Sequence, residues 1–223
     1  EKHIIWGDMQ TMFRLWHLKA NHKAKYNDMV PVAGEFHAAA HFLCAVVIIN
    51  WKYIYEPIVH LMGVKSLNLK CIMKEHDVRY RWTIMILTAG LTWLKSIFTG
   101  DEMGNPKLLL DMVRKNTPVS DFIGFLYYHA CPVLAHKQAM QTNDVASLNF
   151  MWKYSLMAYA PTGKYNYKKG VLMQCKVLFD AEPNVNNILE GHRTCTGGGH
   201  CRGAAFDYMN EKVLPSFLTF PRG

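Results

Sequence analysis

Two short apolar runs near the N-terminus, each followed by a glycine and an acidic residue, limit the possible folds of this chain most strongly. Residues 3–6 precede Asp8, and residues 29–33 precede Glu35. Between them, residues 9–24 carry apolar side chains at helical spacing. The pattern predicts a strand–helix–strand unit with parallel strands. Such a unit places acidic residues at the carboxyl ends of its strands, where an α/β sheet presents carboxylates to a metal ion.

The rest of the chain predicts mainly helices. Residues 35–62 are helical in pattern and unusually apolar, so we expect this helix to be buried on most sides and kinked or split at Pro57. Apolar side chains recur every three or four residues over 77–98, 107–115, 120–141 and 144–159. We divide the chain into part of an α/β core, a helical insertion and a C-terminal part with a basic segment, a Gly-rich loop and an acidic helix: residues 1–62, 63–160 and 161–223.

The composition favours an intracellular protein with a polyanionic partner. The chain of 223 residues is 50% hydrophobic and has a formal net charge of +8, a balance that favours polyanionic partners such as DNA, although a soluble basic protein with no such partner has the same composition. Six cysteines are spread along the chain, two of them within apolar stretches, which favours the reducing nucleus or cytosol. The longest apolar run, residues 42–49, is far shorter than the roughly 20 residues that span a bilayer. We therefore expect no membrane partner and no signal peptide.

Several acidic and histidine residues are candidate metal ligands. Asp8 ends the first strand, although an aspartate in this position is also a common helix cap. Asp207 and Glu211 share one face of the predicted last helix, and His37 and His41 lie one turn apart after the second strand. Converging carboxylates from different elements can hold the two divalent ions of a phosphoryl-transfer site. The zinc-protease motif HExxH is absent, and the two histidines could instead pack at the strand–helix junction.

Basic residues and a Cys/His cluster lie towards the C-terminus. Lys164, Lys168 and Lys169 lie on either side of two tyrosines, which suits phosphate contacts and base stacking, although a lysine-rich loop has the same composition. Arg193 and Arg202 flank the Gly-rich loop and are further candidate phosphate contacts. In that loop Cys195, His200 and Cys201 follow His192, but this spacing fits no standard zinc module. Structural zinc is therefore the least favoured interpretation.

The order of these motifs resembles eukaryotic transposase-derived proteins with a ribonuclease H-like core, related to the cut-and-paste DNA transposases that use an Asp-Asp-Glu triad. The chain has a strand followed by GDMQT, a helix, a strand followed by GEFHAAAH, a long helical block, a Gly-rich loop, and Asp207-x3-Glu211. The resemblance implies an α/β fold with a ribonuclease H-like core, incomplete at its N-terminus, and a large helical insertion. Because the first catalytic Asp would precede residue 1, the chain is expected to begin inside a larger domain.

The resemblance also implies a function and site residues. The ancestral activity would be metal-dependent phosphodiester cleavage and strand transfer, with Mg²⁺ or Mn²⁺ held by Asp8 and by Glu211 or, less favoured, Asp207. His37 and His41 would support the fold or bind metal, and DNA would be the partner, in the nucleus. Glu35 departs from the Asp usual in the family, which leaves open whether the chain is an active enzyme. The alternative is a non-enzymatic helical DNA-binding or scaffold subunit, either as a homo-oligomer or in a larger assembly.

Overall fold

The computed structural model describes residues 2–64, 68–74, 76–97, 118–180, 194–197 and 202–205, together with residues 105, 107, 108, 111, 114, 183, 185 and 189. The chain divides into two compact units. Unit 1 comprises Glu1–Phe42 and Ala135–Gly223, and unit 2 comprises Leu43–Leu134.

The described elements are predominantly helical. In chain order they are β1 (His3–Gly7), α1 (Met9–Asn21), α2 (Lys23–Tyr26), β2 (Met29–Ala33), α3 (Glu35–Asn50), a π-helical segment (Trp51–Tyr55), α4 (Glu56–Leu61), α5 (Leu69–Lys74), α6 (His76–Ile97), α7 (Pro118–Phe125), a second π-helical segment (Leu126–Ala130), α8 (Cys131–Thr142), α9 (Val145–Tyr159), α10 (Tyr165–Asp180), β3 (Thr194–Gly197) and β4 (Arg202–Ala205).

The strand–helix–strand prediction for the N-terminus is confirmed. β1 and β2 pair in parallel, from His3 opposite Met29 to Gly7 opposite Ala33, and α1 and α2 connect them. β2 carries the buried side of this pair: Val32 packs with Val185 and Leu189 in an apolar cluster of unit 1. The two short apolar runs and the helical spacing between them are local signals, and both hold in the fold.

The predicted α/β class and ribonuclease H-like core are wrong. The protein is mostly helical, and among the described residues the parallel sheet consists of two strands, β1 and β2. β3 and β4 form a separate antiparallel pair. An α/β core requires a sheet wide enough for helices to cover both of its faces. Here the apolar side chains of the chain pack mainly between helices instead.

Helix α9 illustrates how the core of unit 1 is built. Its buried residues recur every three or four positions, which places them on one face: Leu148, Met151, Trp152, Ser155, Ala158 and Tyr159. Asp144 caps the helix, because its Oδ1 accepts a hydrogen bond of 3.1 Å from the Ser147 N–H. The helices predicted over 77–98 and 144–159 are confirmed as α6 and α9.

Both π-helical segments of unit 2 end immediately before a residue that is followed by proline. Residues 51–55 precede Glu56 and Pro57, and residues 126–130 precede Cys131 and Pro132. A proline has no N–H to donate, and its ring clashes with the carbonyl four residues earlier in an α-helix. The wider π-helical turn accommodates both effects, so the helix continues past Pro57.

One helix among the described residues has the length and composition of a membrane span. It covers Glu35–Leu61, and the mean hydropathy of its most apolar window is 1.4. The buried core helix of a soluble protein passes the same test, and 56% of this window is buried inside the protein. The helix is therefore weak evidence for a membrane span and is compatible with a protein that has no membrane partner.

Candidate nucleic-acid interface

Helices α1 and α10 of unit 1 pack closely against each other at Gly170. A Cβ atom added to Gly170 would lie 2.1 Å from the Sδ of Met9 and 2.4 Å from its Cε. Non-bonded heavy atoms pack at about 3.5–4 Å, so the present position of Met9 requires a glycine. Farther along α10, the Gln174 Oε1 accepts a hydrogen bond of 3.0 Å from the N–H of Ala33, which joins the helix to β2.

A groove follows the contact between α1 and α10, and we call it the α1/α10 groove. It consists of three adjoining clefts of about 790, 370 and 330 Å³. Phe13, His17 and Asn166 line both the first and the second cleft. Trp16 and Met173 line both the second and the third. The three clefts therefore form one continuous surface.

The two helices that form the groove carry almost only positive charge. Residues 9–27 and 145–179 contain no Asp or Glu. The basic residues that line the groove come from both helices and from the start of the chain: Lys2, Arg14, Lys19, Lys169 and Lys176. Asp8 lies at one end of this row and Asp180 at the other. A surface of one charge sign attracts polyanions over several ångströms.

Three of these lysines have local partners that a polyanion could replace. Lys2 pairs with Asp28 at 3.7 Å, Lys176 pairs with Asp180, and the Lys19 Nζ donates a hydrogen bond of 2.7 Å to the Met29 carbonyl. The two ion pairs, Lys2 with Asp28 and Lys176 with Asp180, are of a kind that contributes about 0–1 kcal/mol at a protein surface. They therefore oppose the binding of a phosphate only weakly.

Aromatic rings lie between the charges of the groove. The rings of Phe13 and Trp16 are 5.6 Å apart with planes at 63°, and the Lys169 Nζ lies 5.5 Å from the centre of the Phe13 ring. At the other end, His41 stacks on Tyr167 with ring centres 3.8 Å apart. Alternating cations and rings are typical of surfaces that hold nucleic-acid backbones and bases.

Asp8 is the N-cap of α1. Capping was the alternative to a catalytic role in the sequence analysis. Its Oδ1 accepts a hydrogen bond of 2.7 Å from the N–H of Thr11. Partial burial raises the pKa of Asp8, but the hydrogen bonds from Thr11 and the nearby charges of His37 and Arg14 outweigh this effect and hold the pKa below its usual value. The carboxylate is thus ionised at neutral pH and is held by its own helix.

His37 and His41 line the first cleft together with Asp8. Among the described residues, however, no three His, Cys, Asp or Glu side chains form a group that could hold a metal ion. The Lys164 Nζ lies 3.4 Å from the His41 Nδ1, where a cation disfavours a second positive charge. Because Mg²⁺ and Mn²⁺ prefer oxygen ligands, one carboxylate beside histidines and Arg14 does not fit these ions by itself.

The second acidic residue of the predicted sheet edge does not face the groove. Glu35 begins α3 and is 1% exposed. Its Oε1 accepts a hydrogen bond of 2.8 Å from Trp152 Nε1, and its Oε2 lies 3.3 Å from His136 Nε2. Both oxygens are therefore used inside unit 1. The expectation that both strand-end carboxylates would meet at an accessible edge is wrong, because the helices fold over the second one.

The predicted basic segment is helical, and its lysines lie in different places. Lys169 lines the second cleft, and Lys164 contacts His41. Lys168 is exposed, but at about 100° per helical residue it lies roughly 200° around α10 from Asn166. The sequence indicated one uniform basic patch. In the structure these lysines lie in and next to a helix, and only some of them face the groove.

Several predicted site residues cannot be compared with the groove. Glu211, Asp207, Arg193, His192, His200 and Cys201 lie outside the described residues. For Arg202 and Cys195 the structure describes only their place in β4 and β3. The magnesium or manganese site and the structural zinc site stay predictions.

The sequence analysis missed most of the groove residues on α1. Residues 9–24 were predicted only as a helix with apolar side chains at helical spacing, and Arg14, Trp16 and His17 were not among the candidate site residues. The sequence did contain a signal for a basic surface, because residues 9–27 include Arg and Lys but no Asp or Glu. What the sequence did not indicate was that α10, more than 140 residues later, packs beside this helix.

Comparisons with protein-family models, with curated proteins and with solved structures found no match for this chain. The resemblance to transposase-derived proteins therefore stays a prediction.

Proposed function

We propose that this protein binds nucleic acid, with DNA in the nucleus as the expected partner, through the α1/α10 groove. The single observation that carries the proposal is the continuous groove between α1 and α10, two helices whose charged residues are all basic except Asp180 at the end of α10. A phosphate backbone is the polyanion that such a row of charges fits. The net charge of +8 supports the same partner.

The proposal is for binding without a chemical step at the described residues. Asp8 caps α1, and Glu35 is buried with Trp152 and His136, so neither carboxylate supports a metal-dependent cleavage site in this part of the chain. The non-enzymatic DNA-binding alternative of the sequence analysis therefore has the stronger support. Ancestral strand transfer stays a prediction that depends on Glu211 and Asp207.

The salt dependence of binding tests this function. Fluorescence anisotropy with a labelled oligonucleotide would measure the dissociation constant between about 50 and 200 mM salt, the range over which phosphate contacts lose most affinity. We expect the affinity to fall steeply as salt rises. In the triple variant Arg14→Gln, Lys169→Gln, Lys176→Gln, the slope of log K against log salt should be smaller by roughly 2–3, because each phosphate contact contributes about 0.7–0.9.

A matched variant separates the groove from the net charge. Lys52, Lys70 and Lys74 are exposed in unit 2, and their combined replacement by Gln removes the same three charges elsewhere. This variant should keep the slope of the wild type to within about one contact. Affinity that does not depend on salt, or equal losses in the two triple variants, would rule out binding in the groove.

A further inference from the structure

The composition of the third cleft of the groove differs from that of the first. Its floor is apolar, formed by Val30, Pro31, Met173 and Val177 beside the indole of Trp16, whereas its charges are those of Lys2, Lys19, Lys176 and Asp180. A surface that only contacts phosphates has no use for an apolar floor. Burying apolar surface is favourable when a ligand brings apolar faces of its own.

Trp16 is placed where a base could reach it. Its side chain is half-buried and lines both the second and the third cleft. Its ring plane is inclined by 63° to that of Phe13, so the two rings do not cover each other face to face. The Lys169 Nζ lies over the Phe13 ring. Phe13 is thus occupied by a cation, and Trp16 is the ring of this pair that remains for stacking.

We infer that the α1/α10 groove takes a single strand in preference to a duplex, with bases against Trp16 and the apolar floor and phosphates towards the lysines. This inference rests on the proposed function. A duplex keeps the faces of its bases stacked inside and presents phosphates and base edges, so it would leave the floor of the third cleft uncovered. A single strand offers both a flexible backbone and free base faces, which stack on aromatic side chains.

The test compares four ligands under one salt condition: oligothymidylate, oligouridylate, a DNA duplex of the same length, and inorganic polyphosphate, which has the charge but no bases. We expect both single strands to bind at least about tenfold more tightly than the duplex. Trp16→Leu should weaken the binding of the single strands by roughly 5- to 100-fold, the range typical of the loss of one stacked base. It should leave polyphosphate binding unchanged.

Two further variants control for the fold and for aromatic surface in general. Trp16→Phe keeps a ring and should restore most of the affinity for single strands. Phe179 lies on α10 and is 90% exposed, and it does not line the three clefts, so Phe179→Leu should behave as the wild type. If Trp16→Leu does not fold, photo-crosslinking of a 4-thiothymidine oligonucleotide to the wild type replaces it. The crosslink should map to Trp16, Phe13 or Met173.

The outcomes separate the inference from the function on which it rests. Duplex binding as tight as single-strand binding, equal effects of the Trp16 and Phe179 variants, or crosslinks outside the groove would overturn the single-strand inference and leave the proposed function standing. If Trp16→Leu weakens the binding of polyphosphate as much as the binding of oligothymidylate, Trp16 does not act by stacking on bases. If none of the nucleic acids binds with an affinity that falls as salt rises, the proposed function is wrong.

Discussion

The close contact between Gly170 and Met9 joins the two walls of the groove. We expect Gly170→Ala to destabilise the protein when residue 9 is Met and to stabilise it when residue 9 is Ala. In Gly170→Ala, the new Cβ would lie 2.1 Å from the Met9 Sδ, 2.4 Å from its Cε and 3.2 Å from its Cγ. Met9 is itself 4% exposed, so its side chain has little room to move away. The substitution therefore overpacks the seam.

Two effects oppose each other in this variant. Overpacking a well-filled core costs about 1–3 kcal/mol. Replacing a glycine inside a helix by alanine contributes about 0.8–1 kcal/mol of stability. We expect Gly170→Ala to lower the free energy of unfolding by about 0–2 kcal/mol. Met9→Ala alone should lower it by about 2–5 kcal/mol, because it leaves a cavity.

The double variant decides between this reasoning and a simple propensity effect. With Met9 shortened to Ala, the clash is gone and the new methyl group fills part of the cavity. Gly170→Ala should then stabilise the protein by about 1 kcal/mol or more. Urea unfolding followed by circular dichroism measures all four free energies in a double-mutant cycle. If Gly170→Ala has the same effect with Met9 and with Ala at that position, the close packing of α1 on α10 is refuted.

Three further predictions concern titratable groups. Glu35→Gln should lower the free energy of unfolding by about 1–3 kcal/mol, since its single amide oxygen can replace only one of the two carboxylate oxygens, which contact Trp152 Nε1 and His136 Nε2 separately; urea unfolding measures it. Burial lowers the pKa of His129, so the unfolded chain binds the proton first and the thermal midpoint should fall as pH drops below about 6.5, an effect that His129→Gln should reduce. Asp8→Ala should cost about 1 kcal/mol through loss of the helix cap. Because the pKa of Asp8 is lowered in the fold, the stability from its charge is present above about pH 4 and is lost as pH falls through the folded pKa.

Controls make these three measurements specific. Asp8→Asn keeps a good capping residue and should lose only a few tenths of a kcal/mol. His60 is exposed in unit 2, and His60→Gln should leave the pH dependence of the thermal midpoint in place. A Glu35→Gln protein as stable as the wild type would contradict the buried hydrogen bonds of Glu35. A midpoint that does not depend on pH between about 5 and 7 would contradict the burial of His129.

The sequence predicted the N-terminal elements well because their signals are local. The apolar runs that became β1 and β2 and the cap at Asp8 depend on residues within a few positions of one another. The same holds for α6 and α9, whose apolar spacing is visible in any short window. Patterns of this kind depend on backbone geometry and not on what packs against the element.

The predicted fold class was wrong because the sequence pattern of a strand–helix–strand unit does not indicate how many further strands join its sheet. β1 and β2 would look the same at the start of a wide sheet and as an isolated parallel pair. Glu35 was misjudged for a related reason. Its position after a strand is a local fact, but whether it meets solvent or Trp152 depends on a helix 117 residues away.

The amino-acid sequence by itself determined α1, α6 and α9, the two N-terminal strands and the basic character of the chain, because these follow from side-chain chemistry and spacing along short segments. Only the tertiary structure decided that Arg14, Trp16 and Lys169 share one groove, since that depends on Gly170 letting α10 approach Met9. It also decided that Asp8 lies in the groove while Glu35 lies in the core. Such choices depend on contacts between distant segments, which no local pattern contains.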